Sequence, residues 1–138
     1  MKKLYILIAM LLLSIAGQGQ VNFTKLEIKR GVFGISCVNE DVSYICGEWG
    51  YIGKTTDGGK TWTELSSSED IRFQCIKFLD EQIGFVGGGL INQNQNERGA
   101  IWKTIDGGQT WEDISPSDSL NTVSGIFPMD KDTIYIYI

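Results

Sequence analysis

An eight-residue pattern occurs twice in this chain and constrains its fold more than any other feature. TTDGGKTW at residues 55–62 returns as TIDGGQTW at residues 104–111, so that Asp106 follows Asp57 by 49 residues. Spacings of roughly 40–50 residues are typical of tandem units that each contain four β-strands. The pattern therefore predicts a repeated β architecture.

The similarity between the two repeats extends upstream of these octapeptides. Residues 35–47 align without gaps on residues 76–88 at an offset of 41, and a third copy begins at Ile126. Each repeat reads as four strands, with an acidic turn after the first, a glycine-rich loop after the second and the octapeptide after the third. No window beyond the N-terminal segment has apolar residues at helical spacing. We therefore predict an all-β chain of propeller blades, each with four antiparallel strands.

The alignment also gives boundaries for the units. Residues 32–65 and 73–114 are predicted to be whole blades, residues 122–138 a partial blade and residues 21–28 a lone fourth strand. Closed propellers have about four to eight blades, whereas this count gives about two and a half. Either the chain is truncated, which we favour, or several chains complete a ring. The uncharged strand at residues 133–138 would leave an exposed blade edge that favours self-association.

The first 19 residues have the pattern of a signal peptide. Lysines at positions 2 and 3 precede an apolar stretch over residues 4–15, and small residues follow. Cleavage fits after Ala16 or after Gly19, and we predict Gly19, which leaves residues 20–138. The apolar stretch is shorter than the about 20 residues that a membrane span needs. The mature chain is expected to be periplasmic, on the cell surface or secreted in a bacterium, with no membrane span.

The composition excludes several kinds of partner and site. Without the two N-terminal lysines, 10 basic residues stand against 17 acidic ones, and a net charge of about −7 opposes binding to nucleic acid. The chain has no histidine, which excludes a Ser-His-Asp triad and any zinc site with a histidine ligand. We predict no metal and no cofactor. The three cysteines, Cys37, Cys46 and Cys75, are expected to be buried as small hydrophobic residues.

The octapeptide residues are each expected to have a structural task. The Asp carboxylates can accept hydrogen bonds from backbone N–H groups, and the glycines can adopt positive φ. The threonine hydroxyls can satisfy nearby backbone groups, while each tryptophan covers the turn. The residues concerned are Thr55, Asp57, Gly58, Gly59, Thr61 and Trp62 in the first copy, and Thr104, Asp106, Gly107, Gly108, Thr110 and Trp111 in the second.

This pattern resembles the Asp-box, or BNR repeat, of sialidases, sortilin-type domains and related propellers. The doubled glycine, with Ile76, Phe78, Asp80 and Gly84 upstream, is most similar to the photosystem II stability/assembly factor group, over about residues 23–138. The resemblance implies that the octapeptides lie on turns between third and fourth strands and serve the fold. It also implies that function lies on the loops at the opposite face of the ring.

The resemblance suggests a non-catalytic propeller module that binds or assembles proteins, or that serves as a scaffold. Aromatic and amide groups together suit a protein loop or a glycan as the partner. The candidate binding residues are Trp49, Arg72, Asn92, Asn94 and Arg98. The alternative is a fragment of a sialidase-like or other glycoside hydrolase that acts on extracellular glycans. Sialidase chemistry needs a cluster of arginines and a Tyr nucleophile, and this chain has only three arginines in all. We therefore predict that the chain is not an enzyme.

Overall fold

The computed structural model describes residues 25–26, 28–68, 70–91, 97–116 and 120–138. The predicted signal peptide lies outside these residues, and so does most of the predicted strand at 21–28. Of that segment, Lys25, Leu26 and Ile28 are described, and they lie outside any strand. In the part of the chain that is described, no helix has the length and apolar character needed to cross a membrane.

The first blade is a sheet of four antiparallel strands that pair in chain order. They are β1 (Val32–Cys37), β2 (Ser43–Gly47), β3 (Ile52–Thr55) and β4 (Thr63–Ser66). A 3-10 turn at Glu48–Gly50 joins β2 to β3. The β1–β2 turn is closed by the side chain of Asn39, whose Oδ1 accepts hydrogen bonds from the N–H groups of Asp41 and Val42 at 3.0 and 2.8 Å. Such local bonds fix the polar turn that the sequence predicts here.

The second blade repeats this order with longer central strands. They are β5 (Ile71–Phe78), β6 (Gly84–Ile91), β7 (Glu97–Thr104) and β8 (Glu112–Asp113). β6 and β7 have 8 residues each, against 5 and 4 in β2 and β3. The offset between the repeats rises from 41 before Gly88 to 49 at the octapeptides, so the second blade has eight extra residues, and they extend this hairpin. Arg98, which the resemblance would place on a loop, lies within β7 instead. Leu90 pairs with Arg98 and Ile91 with Glu97, which continues the ladder up to residues 92–96.

A third unit of two strands follows, β9 (Gly125–Pro128) and β10 (Ile134–Tyr137). Its turn is closed in the same way, because Oδ1 of Asp130 accepts hydrogen bonds from the N–H groups of Asp132 and Thr133 at 2.8 and 2.7 Å. Among the described strands, β10 pairs with β9 alone, and Tyr135 and Tyr137 are 63% and 67% exposed. The predicted fold of four-stranded antiparallel blades in an incomplete ring is confirmed.

Two apolar cores join the units. The first blade and the second blade share one core, in which the ring of Tyr44 stacks on that of Phe78 with centroids 3.5 Å apart. A second core joins the second blade to the third unit, with Phe85, Ile101, Val123 and Ile126 at its centre. The second blade therefore lies between the first blade and the third unit. Its two faces are both covered, whereas each outer unit has one face that no described unit covers.

The three cysteines are all free thiols, but they are not all buried. Cys46 is buried and Cys75 is half-buried, and burial raises the pKa of both thiols, that of Cys75 to about 11. Cys37 is exposed, so the expectation that it is buried is wrong. The reason is strand alternation: the neighbouring Ser36 faces the second blade, where its Oγ accepts a hydrogen bond from Phe78 N at 2.9 Å. Cys37 therefore faces the opposite way.

Candidate functional site

The first octapeptide forms a closed network of its own groups. Oδ1 of Asp57 accepts hydrogen bonds from the Thr55 hydroxyl at 2.8 Å and from Thr61 N at 2.9 Å, and Oδ2 accepts one from the Thr61 hydroxyl at 2.6 Å. Gly59 N donates to the Thr55 hydroxyl oxygen at 2.9 Å. The half-buried indole of Trp62 donates to Gly59 O at 3.2 Å. Both carboxylate oxygens thus serve the turn itself.

The second octapeptide reproduces this network closely. Asp106 accepts from Thr104 at 2.8 Å, from Thr110 N at 2.9 Å and from the Thr110 hydroxyl at 2.6 Å. Gly108 N donates to the Thr104 hydroxyl oxygen at 2.9 Å, and the indole of Trp111 donates to Gly108 O at 3.1 Å. Two separate parts of the chain therefore reach the same geometry, which fits a turn that the local sequence determines.

Both central glycines of each octapeptide have a backbone conformation that favours glycine. Gly58 and Gly59 have φ of 69° and 87°, and Gly107 and Gly108 have φ of 72° and 88°. L-residues with a side chain rarely adopt this region of φ. The turns are also tied to the first hairpin of their own blade, since Gly58 N donates to Asp41 O at 3.0 Å and Gly107 N donates to Gln82 O at 2.9 Å. Each octapeptide therefore joins two turns at one end of its blade.

The electrostatics of the two carboxylates favour a structural role. Hydrogen bonds from Thr61 lower the pKa of Asp57 to about 2. The bond from the Thr61 hydroxyl has the largest effect, and the bond from its N–H has the next largest. The same bonds from Thr110 lower the pKa of Asp106 to about 2. A general base works best when its pKa is near the operating pH, and the pKa values of these two carboxylates are far below neutral pH. Their geometry and their acidity both suit a turn anchor and do not suit proton transfer.

The predicted binding residues are only partly brought together. Trp49 lies in the 3-10 turn between β2 and β3, where its side chain is 54% exposed. Its φ of 59° is unusual for a bulky residue and is held by neighbouring bonds, including one from Ser68 N to Trp49 O at 2.7 Å. Asn92 and Asn94 lie outside the described residues. Trp49 is therefore an aromatic side chain that this end of the first blade presents to solvent.

The arginines do not converge on one surface. Arg72 lies within β5 and Arg98 within β7. Arg72 pairs with Gly89 in the ladder, whereas Arg98 pairs with Leu90. Neighbouring positions along a strand point to opposite faces of the sheet, so these two side chains leave it in opposite directions. Arg30 lies elsewhere, 3.6 Å from a carboxylate oxygen of Glu64.

The first strands of the units lie closest together, and each blade has an extra residue there. β1 packs on β5, and β5 packs on β9. In β1 the partners of Val32 and Gly34 are consecutive residues, so Phe33 is a bulged residue without a partner in the ladder. In β5 the same shift occurs between Phe73 and Cys75, which makes Gln74 the bulged residue. Gln74 follows Phe33 by 41 residues, which is the offset of the repeat.

A cleft lies beside these bulges, at the first strands of the two blades. The cavity has a volume of about 380 Å³ and is lined by Phe33, Arg72 and Gln74; we refer to it as the rim cleft. Phe33 is 48% exposed, and Arg72 is exposed as well. β-Bulges commonly re-aim side chains next to functional sites. Of the three residues, sequence reasoning found Arg72 and missed Phe33 and Gln74.

Close approach of the backbone explains a glycine opposite each bulge. A Cβ on Gly88 would collide with the carbonyl oxygen of Arg72, and a Cβ on Gly47 would collide with that of Gly31. Gly47 and Gly88 are equivalent in the repeat, as are Gly31 and Arg72. The glycines of the second strands are thus the sequence signal for the bulges. They can be recognised only after the pairing is known.

In the described ranges, no three His, Cys, Asp or Glu side chains come close enough together to hold a metal ion. The rim cleft contains one cation, one amide and one aromatic ring. This set of groups can bind a carboxylate and an apolar side chain, but it has no nucleophile paired with a base.

The comparisons with known proteins support the resemblance that the sequence suggests. No protein-family model matches the chain. The chain is 36% identical over 73 residues to the chloroplastic photosystem II stability/assembly factor HCF136 of Guillardia theta; the match covers 49% of this chain and 18% of that protein. The chain therefore spans less than a fifth of the length of this curated relative.

Two solved structures share the fold. YCF48 bound to D1 peptide superposes with a TM-score of 0.64 at 20% identity, over 82% of this chain and 36% of that chain. YCF48 from Cyanidioschyzon merolae gives a TM-score of 0.59 at 21% identity, over 81% and 35%. The chain is a partial β-propeller similar to photosystem II assembly factors, as the repeat predicts.

Proposed function

We propose that this chain is an exported, non-catalytic propeller module that binds another protein at the rim cleft. The observation that carries this proposal is the repeated bulge, because both blades turn an extra residue of their first strand, Phe33 and Gln74, toward the same cavity. A bulge interrupts the hydrogen-bonded ladder, and its recurrence at one position of the repeat favours a use beyond folding.

The chemistry of the rim cleft fits an acidic peptide segment. The guanidinium of Arg72 can donate two parallel hydrogen bonds to a carboxylate, and the ring of Phe33 can cover an apolar side chain next to it. The amide of Gln74 can both donate to and accept from a peptide backbone. Gln74 is within reach of the third unit, since the Ser124 hydroxyl donates to its Oε1 at 3.4 Å. An extended segment that crosses the first strands would therefore meet all three groups.

Two observations support a role without catalysis. The carboxylates of Asp57 and Asp106 are engaged within their own turns, and their low pKa makes them weak bases. The arginines that a sialidase would need on one surface lie apart, with Arg72 and Arg98 on opposite faces of the second blade. These features disfavour the glycoside hydrolase alternative.

The relatives support a protein partner. HCF136 is described as a stability and assembly factor of photosystem II, and one YCF48 structure contains a D1 peptide. Binding of a peptide by this chain is our extension from those proteins. The signal peptide predicted at residues 1–19 supports export, and the mature protein recovered from cells should then begin at Gln20.

Peptide selection tests the proposed partner chemistry. A random peptide library displayed on phage is panned against the immobilised chain, and enriched peptides are synthesised for calorimetry. We expect enriched peptides to carry Asp or Glu beside an apolar residue. Arg72→Ala should weaken their binding by about tenfold or more, because a hydrogen bond to a charged group contributes about 1.5–3 kcal/mol. Phe33→Ala should also weaken it.

Lys77→Ala is the matched control, because Lys77 is also an exposed cation on β5 but does not line the rim cleft. Its affinity for the selected peptides should equal that of the wild type. Failure to enrich any peptide would contradict the proposal, and so would equal losses in the Arg72 and Lys77 variants.

A further inference from the structure

An aromatic residue recurs in the second strand of every unit, and it is buried in two of the three. Tyr44 in β2 and Phe85 in β6 are 0% and 1% exposed, whereas Tyr135 in β10 is 63% exposed. The three residues are equivalent in the repeat and in the ladder, since each pairs with the first strand of its own unit. In the first two units the following unit buries this side chain.

The contact made by Tyr44 shows what such a residue binds. Its hydroxyl donates to Glu81 O at 3.0 Å and lies 3.4 Å from Gly107 O, and its ring stacks on Phe78. The receiving surface thus combines the first hairpin turn, the octapeptide turn and the first strand of the next blade. Leu65 of the first blade lies beside this surface and close to Gly108. A Cβ added to Gly108 would be 2.7 Å from Cδ1 of Leu65.

The uncovered face of the first blade has the equivalent backbone acceptors, with Cys37 where the next blade has the ring of Phe78. The equivalents of Glu81, Gly107 and Phe78 are Glu40, Gly58 and Cys37, and these three residues line a groove of about 320 Å³ that we call the docking groove. Ile35 also lines it and is 50% exposed. The carbonyl oxygens that would accept a tyrosine hydroxyl are therefore present, on a surface that no described unit covers.

Half of the contact already exists in this groove. Leu26 lines it together with Gly59 and Trp62. FTKL at residues 23–26 aligns with WTEL at residues 62–65, which makes Leu26 the equivalent of Leu65. Leu65 lies next to Gly108 of the next blade, and Gly59 is the equivalent of Gly108. Leu26 of the same chain thus takes the place that Leu65 has at the next blade, while no described residue takes the place of Tyr44.

We infer that the docking groove receives Tyr135 from a second copy of this chain. The Tyr135 hydroxyl would donate to Glu40 O and approach Gly58 O, as Tyr44 does with the equivalent atoms. The Tyr135 of the same chain cannot reach this groove, because the second blade lies between the first blade and the third unit. The contact joins two different surfaces of the chain, so it produces head-to-tail assemblies that are either closed rings or open chains.

Sedimentation velocity of the full chain tests this inference, which concerns surfaces other than the rim cleft and does not rest on the peptide-binding proposal. We expect the wild type to associate as its concentration rises and Tyr135→Ala to associate at least about tenfold more weakly, as for a central aromatic contact. Both partners in this contact are exposed, so the variants should fold. A wild type that remains a monomer throughout, or a Tyr135→Ala variant that associates equally well, would overturn the inference.

Ile105→Ala separates specific docking from general stickiness. Ile105 is 69% exposed on the second octapeptide and does not line the docking groove. Its replacement should leave association unchanged. If it weakens association as much as Tyr135→Ala does, the contact is nonspecific and the inference fails.

Crosslinking identifies the two surfaces directly, because the exposed Cys37 takes the place of Phe78 in the docking groove. At concentrations high enough for Tyr135→Ala still to associate, Tyr135→Cys treated with a short bismaleimide should yield covalent dimers and longer ladders. Adding Cys37→Ser should abolish them. Ile136→Cys is the matched control, since Ile136 is on the opposite face of β10, and it should crosslink no more than the wild type. Equal ladders from the two cysteine variants would refute the placement of Tyr135.

Discussion

The hydroxyl of Tyr44 fastens the first blade to the second, and its removal is expected to destabilise the whole fold. Tyr44 is fully buried, and its hydroxyl donates to Glu81 O at 3.0 Å. Tyr44→Phe removes this bond and keeps the ring stacked on Phe78. The net contribution of such a bond is about 0.5–1.5 kcal/mol, and a buried acceptor left without a donor costs about 1–3 kcal/mol. Because this hydrogen bond is only partly buried, we expect a loss of about 1–1.5 kcal/mol.

Urea unfolding followed by tryptophan fluorescence measures this loss. The fluorescence of Trp111 is sensitive to the same interface, because its ring packs edge-on against that of Phe78 with the ring centroids 6.1 Å apart. For a domain of this size, the loss corresponds to a decrease in Tm of roughly 3–8 °C. Tyr137→Phe is the control, since Tyr137 is exposed, and it should change the unfolding free energy by less than about 0.5 kcal/mol. Equal stabilities of Tyr44→Phe and Tyr137→Phe would refute our account of how the blades are joined.

Acid, thiol reagents and a threonine replacement test other parts of the structure. The pKa of Asp106 is about 2 in the folded chain against an ordinary 3.8, so the unfolded state binds more protons between these values and stability falls as the pH decreases from about 4 to 2. Asp106→Asn should lose less stability over that range in circular dichroism melts, and parallel curves would contradict this. Cys37 should react quickly with a thiol reagent in the native protein and Cys46 only after unfolding; fast reaction of a buried thiol would show that the first core opens. Thr104→Val should lower the unfolding free energy by about 1–3 kcal/mol, because Thr104 is buried and bonds both Asp106 and a backbone N–H, whereas Thr63→Val on the exposed side of β4 should change it by less than about 0.5 kcal/mol.

The octapeptides were predictable because their geometry is local. Every group that holds Asp57 lies within four residues of it, so the sequence pattern contains all the partners of the turn. Glycines at positive φ and an Asp with nearby hydroxyl groups have few alternative conformations. The arrangement of the chain as successive four-stranded units was predictable from the repeat period.

The rim cleft was not predictable in the same way, because it depends on pairing between distant residues. Phe33 and Gln74 differ in chemistry, and nothing in their own segments marks them as bulged. Their shared role appears only when β1 is aligned with β2 and β5 with β6. The exposure of Cys37 was missed for a related reason, since an apolar strand pattern does not say which of its two faces a neighbouring blade covers.

A side-by-side comparison of Asp106→Asn and Arg72→Ala tests most directly the claim that the octapeptides serve the fold while the rim cleft serves binding. Each variant is measured for its Tm and, at a temperature where it is folded, for its affinity toward a selected peptide. The account predicts that Asp106→Asn lowers the Tm and keeps the affinity, and that Arg72→Ala keeps the Tm and loses affinity by about tenfold or more. An Asp106→Asn variant of unchanged Tm that no longer binds the peptide would contradict it.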